Sequence, residues 1–162
     1  MTIPLGREHL QSFIDTHRLN ATILPMAVPT ATVTDAAGAL GVEPSAIIKS
    51  LVFLAEDRPF LVVNSGTARV DRKKLANYLD MNRRRVKFAT AEQALEITGY
   101  VVGSMPPFGH HKPLRTLVDR TAVQREEIFG GGGNIDVLVR VSSVELIAVT
   151  QAEIADISEG NR

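Results

Sequence analysis

The chain contains no cysteine. Disulfides, thiolate metal sites and a cysteine nucleophile are thereby excluded, so any chemistry must come from other groups. No apolar run approaches the roughly 20 residues that cross a bilayer, and the first residues lack a basic stretch followed by an apolar one. The cytoplasm is the expected location. No G-x-S-x-G elbow is present to support a serine hydrolase triad. Net charge is absent too, with 18 basic residues against 18 acidic ones. Spread evenly, that balance would argue weakly against a nucleic-acid partner.

The charges are not spread evenly. From Arg69 to Lys87 the basic residues Arg69, Arg72, Lys73, Lys74, Arg83, Arg84, Arg85 and Lys87 face only Asp71 and Asp80. Such an excess suits a polyphosphate backbone, because phosphate contacts need charge more than sequence-specific geometry; it also suits a solvated helix face. The run looks unlike a base-stacking platform, in which aromatics alternate with the cations.

At 162 residues, 44% of them hydrophobic and 22% charged, the chain fits one soluble globular domain, taken as residues 1–162. Helical spacing of Leu10, Phe13, Ile14 and His17 predicts an amphipathic helix over 7–18, followed by a short strand over 21–26. Thr34 is placed to cap a helix beginning at Asp35, which Gly41 and Pro44 end. Residues 47–55 and 59–64 are rich in β-branched and aromatic residues and separated by a few polar ones, the pattern of a β-hairpin. Asp71 caps a helix from Arg72 to about Leu79. After a short strand at Val86 to Phe88, Thr90 and Gln93 form a capping box for a helix that Gly99 stops. Strands follow at 116–118, 127–129 and 135–141, with a helical turn at 121–125. Ser143 caps a last helix, and a final strand falls at 154–157. Strands outnumber helices and consecutive strands look hairpin-connected, so a mixed α/β domain with a mostly antiparallel or barrel-like sheet is expected.

Three features carry potential chemistry. Residues 99–110, Gly-Tyr-Val-Val-Gly-Ser-Met-Pro-Pro-Phe-Gly-His, form a loop whose glycines and prolines dictate the backbone. It is either a rigid corner or a wall that grips a substrate through peptide groups. Lys49 is the anomaly of an otherwise apolar strand: at an edge it reaches solvent, and buried it needs an anion or loses affinity for its proton. Gly130 to Gly133 matches no nucleotide-binding pattern and reads more readily as a flexible turn than as a phosphate nest. His110 and His111 have no neighbours at metal-ligand spacing, and no metal or other cofactor is expected.

Together, Ile48-Lys49-Ser50-Leu51-Val52-Phe53, Arg69-Val70-Asp71-Arg72-Lys73-Lys74-Leu75 and the loop at 99–110 resemble the YbaK/EbsC family of aminoacyl-tRNA deacylase domains, found free-standing or inserted in bacterial prolyl-tRNA synthetases. The resemblance extends from about Thr30 to Ile157. It implies a YbaK-like mixed α/β fold with a twisted, barrel-like sheet and surrounding helices. It also implies hydrolysis of the ester that joins a wrong amino acid to tRNA. The family's strand lysine falls on Lys49 and its G-x-x-x-P motif on Gly103 to Pro107, which makes Lys49, Gly103 and Pro107 the catalytic set. In this reading Lys49 anchors the nucleotide end, and Gly103 and Pro107 shape the oxyanion or water site.

The aminoacyl pocket is then expected to draw on Ser50, Ser104, Met105, Phe108 and Gly109. Some family members place a histidine or serine where this chain has its late glycine segment, which adds Gly132 and Asn134. Arg69, Arg72, Lys73, Lys74, Arg83, Arg84 and Arg85 are the candidates for binding tRNA, and a synthetase is a further candidate partner. An activated ester needs no strong nucleophile, which agrees with the missing cysteine and triad. The expected substrate is tRNA mischarged with a small residue such as alanine, serine, threonine or cysteine. Two other readings stand beside it: a non-catalytic tRNA- or synthetase-binding module, and a hydrolase of other activated esters.

Overall fold

The computed structural model describes residues 3–160. In chain order the elements are helix α1 (Arg7–Thr16), strand β1 (Thr22–Pro25), helix α2 (Val33–Leu40), strands β2 (Ile48–Ala55) and β3 (Arg58–Ser65), helix α3 (Arg72–Tyr78), strand β4 (Val86–Phe88) and helix α4 (Ala91–Thr98). After the glycine- and proline-rich loop come strands β5 (Arg115–Asp119), β6 (Glu127–Gly131) and β7 (Val137–Ser142), helix α5 (Ser143–Thr150) and strand β8 (Glu153–Ala155). Single 3₁₀ turns occupy Pro44–Ala46, Arg83–Arg85 and Arg120–Val123.

The hairpin of β2 and β3 is the spine. Its two turn residues, Glu56 and Asp57, both take positive φ (50° and 66°), the geometry whose twist matches the flanking strands. On either side the hairpin grows into a five-stranded sheet of order β4-β2-β3-β5-β8. β2 runs antiparallel to β3 and β4, while β5 runs parallel to both β3 and β8. A second, antiparallel sheet has the order β1-β7-β6. The sheets join at one parallel bridge, Ile47 to Phe129, and form an open pair rather than a closed barrel. The mixed α/β architecture, mostly antiparallel with helices around it, follows the sequence pattern.

Side-chain alternation divides the interior. Leu61 and Val63 of β3 face a central core shared with Ile128, Val139 and Val141 of the small sheet, with Leu10 and Ile14 of α1, and with Leu146 of α5. Phe60 and Val62 face the opposite way, against Leu75 and Ala76 of α3. Behind the small sheet, Ala36 and Ala37 of α2 cover Ile47, Phe129 and Leu138. The loop at 99–110 belongs to the central core, where Tyr100 is fully buried and donates its hydroxyl to the Gly109 carbonyl at 2.9 Å. Satisfying that hydroxyl makes so large a buried side chain favourable.

The caps confirm Asp71 and the Thr90–Gln93 box, with Gly99 at φ 86° ending α4. Two caps differ from expectation. Thr32, not Thr34, accepts from the Asp35 N–H, and Ser142, not Ser143, accepts from the Glu145 N–H. In both places two hydroxyl residues lie close together, and only the extended backbone of the first frees its side chain to turn back onto the helix. A third difference is the glycine run. Gly130 and Gly131 are paired strand residues, opposite Val139 and Leu138, and not part of a flexible turn.

Candidate active site

β2 has neighbours along only part of its outer edge. The bridge at Ile47 occupies its beginning and β4 pairs from Phe53 to Ala55, with Ala89 donating to the Val52 carbonyl at 3.0 Å. Between them, among the described residues, no strand covers Ser50. Because peptide groups alternate in direction along a strand, those of Ser50 point the same way as the Val52 carbonyl, toward this gap. A cavity of about 300 Å³ opens here, lined by Lys49, Ser50 and Leu51 of β2, Val102, Gly103 and Met105 of the loop, Gly130 and Gly131 of β6, and Thr30 to Val33 ahead of and within α2.

Lys49 is half-buried in this wall. Burial, and secondarily the like charge of Arg69, lower its proton affinity below that of a free lysine. Among the described residues no carboxylate lies within ion-pairing distance of its ammonium. The beginning of α2, capped by Thr32, adds the partial positive charge of a helix N-terminus to the same cavity. Both favour an anion.

The loop supplies the facing wall. Gly103 takes φ 93°, a conformation that L side chains rarely adopt. The Ser104 hydroxyl donates to the Val101 carbonyl at 2.7 Å and the Ser104 carbonyl accepts from Gly133 N–H at 2.8 Å, so this serine braces the loop. Among the described residues the N–H groups of Gly103 and Met105 have no protein acceptor. Behind them, His110 Nε2 lies 2.8 Å from the Pro106 carbonyl. Burial drives the proton affinity of His110 down to about 4, the bond to Pro106 opposing only in part, so the ring is neutral near pH 7.

Of the residues singled out in the sequence, Lys49, Ser50, Gly103 and Met105 converge on the cavity. Pro107, Phe108 and Gly109, in the second half of the loop, instead line a smaller cavity of about 150 Å³ with Phe13 and His17. Phe108 stacks on Phe13 at a centroid distance of 5.5 Å. Gly132 and Asn134 sit in the β6–β7 connection, where Asn134 accepts from the Arg7 N–H at 2.9 Å and so fastens the start of α1. The cavity takes Gly130 and Gly131 in their place. Thr30, Ala31 and Val102 are further wall residues that the sequence reading missed. The first two lie just past Pro29, a bracket that marked a turn without marking what it faced.

The basic residues divide by what they touch. Arg72 donates to the Val86 carbonyl, and Lys74 bonds Asp156 at 3.1 Å and the Ser158 carbonyl at 2.9 Å, so both tie elements together. Arg85 pairs with Glu56. Arg69, Lys73, Arg83 and Arg84 are exposed and have no carboxylate partner among the described residues. Likewise among the described residues, no three His, Asp or Glu side chains gather closely enough to hold a metal ion, and no helix is long and apolar enough to cross a membrane.

A family model described as an aminoacyl-tRNA editing domain matches residues 27–149. The proline–tRNA ligase of Bacillus licheniformis is 30% identical over 132 residues, covering 80% of this chain and 23% of the ligase. The chain thus spans under a quarter of that relative. The uncharacterized protein YwhH of Bacillus subtilis is 31% identical over 117 residues, covering 72% of this chain and 73% of its own. A crystal structure of a candidate trans-editing enzyme for prolyl tRNA synthetase superposes with a TM-score of 0.86 at 32% identity, covering 95% of this chain and 97% of that one.

Proposed function

The chain belongs to the aminoacyl-tRNA editing domain family, and from that premise we propose that it is a deacylase that hydrolyses the ester between tRNA and a wrongly attached small amino acid. The observation that carries the reading is that Lys49, without a carboxylate partner among the described residues, lines one cavity together with Gly103 and Met105, whose N–H groups have no protein acceptor there. Lys49 holds a phosphate or the polarised oxygen near the terminal adenosine. The free N–H groups of the loop are available to the oxyanion that forms when water adds to the ester carbonyl.

In that step the water oxygen bonds to the carbonyl carbon, the bond from that carbon to the ribose oxygen breaks, and the water's proton ends on the ribose. Among the described residues no Asp, Glu or His lines the cavity. The reaction therefore depends on positioning and charge acting on an already activated ester, with the proton relayed by substrate hydroxyl or solvent. About 300 Å³ must hold both the reacting ester and the side chain, which favours residues of the alanine, serine, threonine or cysteine size. Ser50 and Met105 are the side chains placed to select among them.

Hydrolysis of a panel of tRNAs mischarged with these four residues tests the reading. At least one should lose its amino acid faster than in buffer, and Lys49→Ala should remove that activity while the protein stays folded. If none is hydrolysed but tRNA is still bound, the chain is a binding module. If small-molecule esters are cleaved with no competition from tRNA, it is an esterase of another kind.

A further inference from the structure

The run of cations that begins at Arg69 ends at Lys87, and the next residue is Phe88. Phe88 is 57% exposed, whereas Phe53, Phe60, Phe108 and Phe129 are buried. Leaving a phenyl ring in water is unfavourable, and flexibility does not explain it. Phe88 is paired with Phe53 across β4 and β2, and its ring meets that of Phe53 edge to face at 5.0 Å. The next two residues are fixed as well, Ala89 by its bond to the Val52 carbonyl and Thr90 as the cap of α4. A rigid frame thus holds an aromatic surface out to solvent.

Two recesses adjoin β4, and Phe88 lines one of them. On one side Phe88 and Val102 line a mainly apolar chamber of about 210 Å³, which shares Ser50, Leu51, Val102, Gly103 and Met105 with the main cavity. On the other, Arg84, Arg85 and Lys87 line a polar recess together with Glu56 and Asp57. Arg85 neutralises Glu56, while Arg84 and Lys87 have no carboxylate partner among the described residues. Along the chain the cations of the polar recess therefore lead to an exposed ring, and that ring lines an apolar chamber that shares its wall with the reaction cavity. Single-stranded nucleic acid is bound by this sequence of features: charge for its backbone and a flat π-surface for a base.

We propose that Phe88 is the stacking platform for the terminal base of the single-stranded 3′ end of aminoacyl-tRNA, with Arg84 and Lys87 holding the phosphates that precede it. The proposal rests on the editing reading and gives it a direction: the strand enters past Arg84, the base rests on Phe88, and the aminoacyl ester passes Gly103 toward Lys49. Phe88 is a positioning residue, since it touches the base and not the reacting atoms.

The test uses the full chain and a short RNA hairpin with a CCA end, in which 2-aminopurine replaces the terminal adenine. Stacking on the ring should change the 2-aminopurine fluorescence on binding by the unsubstituted protein. Phe88→Ala should abolish that change and weaken binding about tenfold, Phe88→Trp should preserve both, and Phe88→Leu should behave like the alanine variant although it keeps an apolar contact with Phe53. If Phe88→Leu or Phe88→Ala binds and reports like the unsubstituted protein, Phe88 is not a stacking platform. If the unsubstituted protein hydrolyses a mischarged tRNA and Phe88→Ala does so with unchanged KM, the platform is refuted and the editing reading survives. If the unsubstituted protein neither binds the hairpin nor deacylates any tRNA, both fall.

Discussion

A methyl group placed on Gly131 would lie 2.4 Å from the carbonyl oxygen of Met105. The loop wall of the cavity therefore rests directly on the backbone of β6, and the absence of a side chain at residue 131 lets it do so. Gly131→Ala should push the loop outward, with a destabilisation of about 1–3 kcal/mol and a fall in deacylation that exceeds the loss of folded protein. Gly38→Ala is the contrast, because a methyl group at this exposed position of α2 meets nothing within 4 Å. It should stabilise by about 0.5–1 kcal/mol, with activity unchanged. Denaturant midpoints and turnover measured on both variants check the pair.

Lys49 should be worth more to activity than to stability. Its folded-state proton affinity lies below the unfolded value of 10.5, so the unfolded chain holds the proton more tightly. Between those two values stability rises with pH, and at neutral pH the charge opposes folding. Lys49→Met should thus melt at the same temperature as the unsubstituted protein or a higher one, while deacylation falls about 100-fold or more. A variant that melts markedly lower would make Lys49 a structural residue.

His110 gives an acid-side signature. Its proton affinity is lowered from 6.5 to about 4 by burial, so the unfolded state binds the proton first as pH falls. Stability present at pH 7 should decline as pH falls from about 6.5 to about 4 and then level off in this contribution. His110→Gln should flatten that window in a plot of denaturant midpoint against pH. An unchanged slope would mean that the ring is not protected in the folded state.

Arg83 and Arg84 are exposed and free of carboxylate partners among the described residues, whereas Arg85 is tied to Glu56. The double substitution Arg83→Gln with Arg84→Gln should weaken tRNA binding and reduce the slope of log K against log salt by about 2 if each contacts one phosphate. Arg72→Gln should instead lower stability, because its guanidinium bonds the Val86 carbonyl. Filter binding at several salt concentrations, beside a thermal melt, distinguishes the two classes of cation.

Much of the fold was legible because it depends on local chemistry. The β2–β3 hairpin, the Thr90–Gln93 box and the Gly99 stop are written in short-range patterns, and so is the oddity of a lysine in an apolar strand. The sequence alone also limited the chemistry, since it offers no cysteine nucleophile and no serine elbow, whereas the lack of Asp, Glu and His among the described residues of the cavity wall was decided by the fold. Which of two nearby hydroxyls caps a helix was not legible, because Thr32 and Thr34 differ only in the backbone angles that the surrounding chain imposes. Tertiary structure decided what the glycines are for. Gly131 meets Met105 across 26 positions of sequence, and a close approach of that kind depends on how two sheets join rather than on any window of residues. It likewise decided that Phe88 faces water while Phe53, its partner in the sheet, is buried, since strand residues of equal apolarity are separated only by which neighbours the fold brings to cover them.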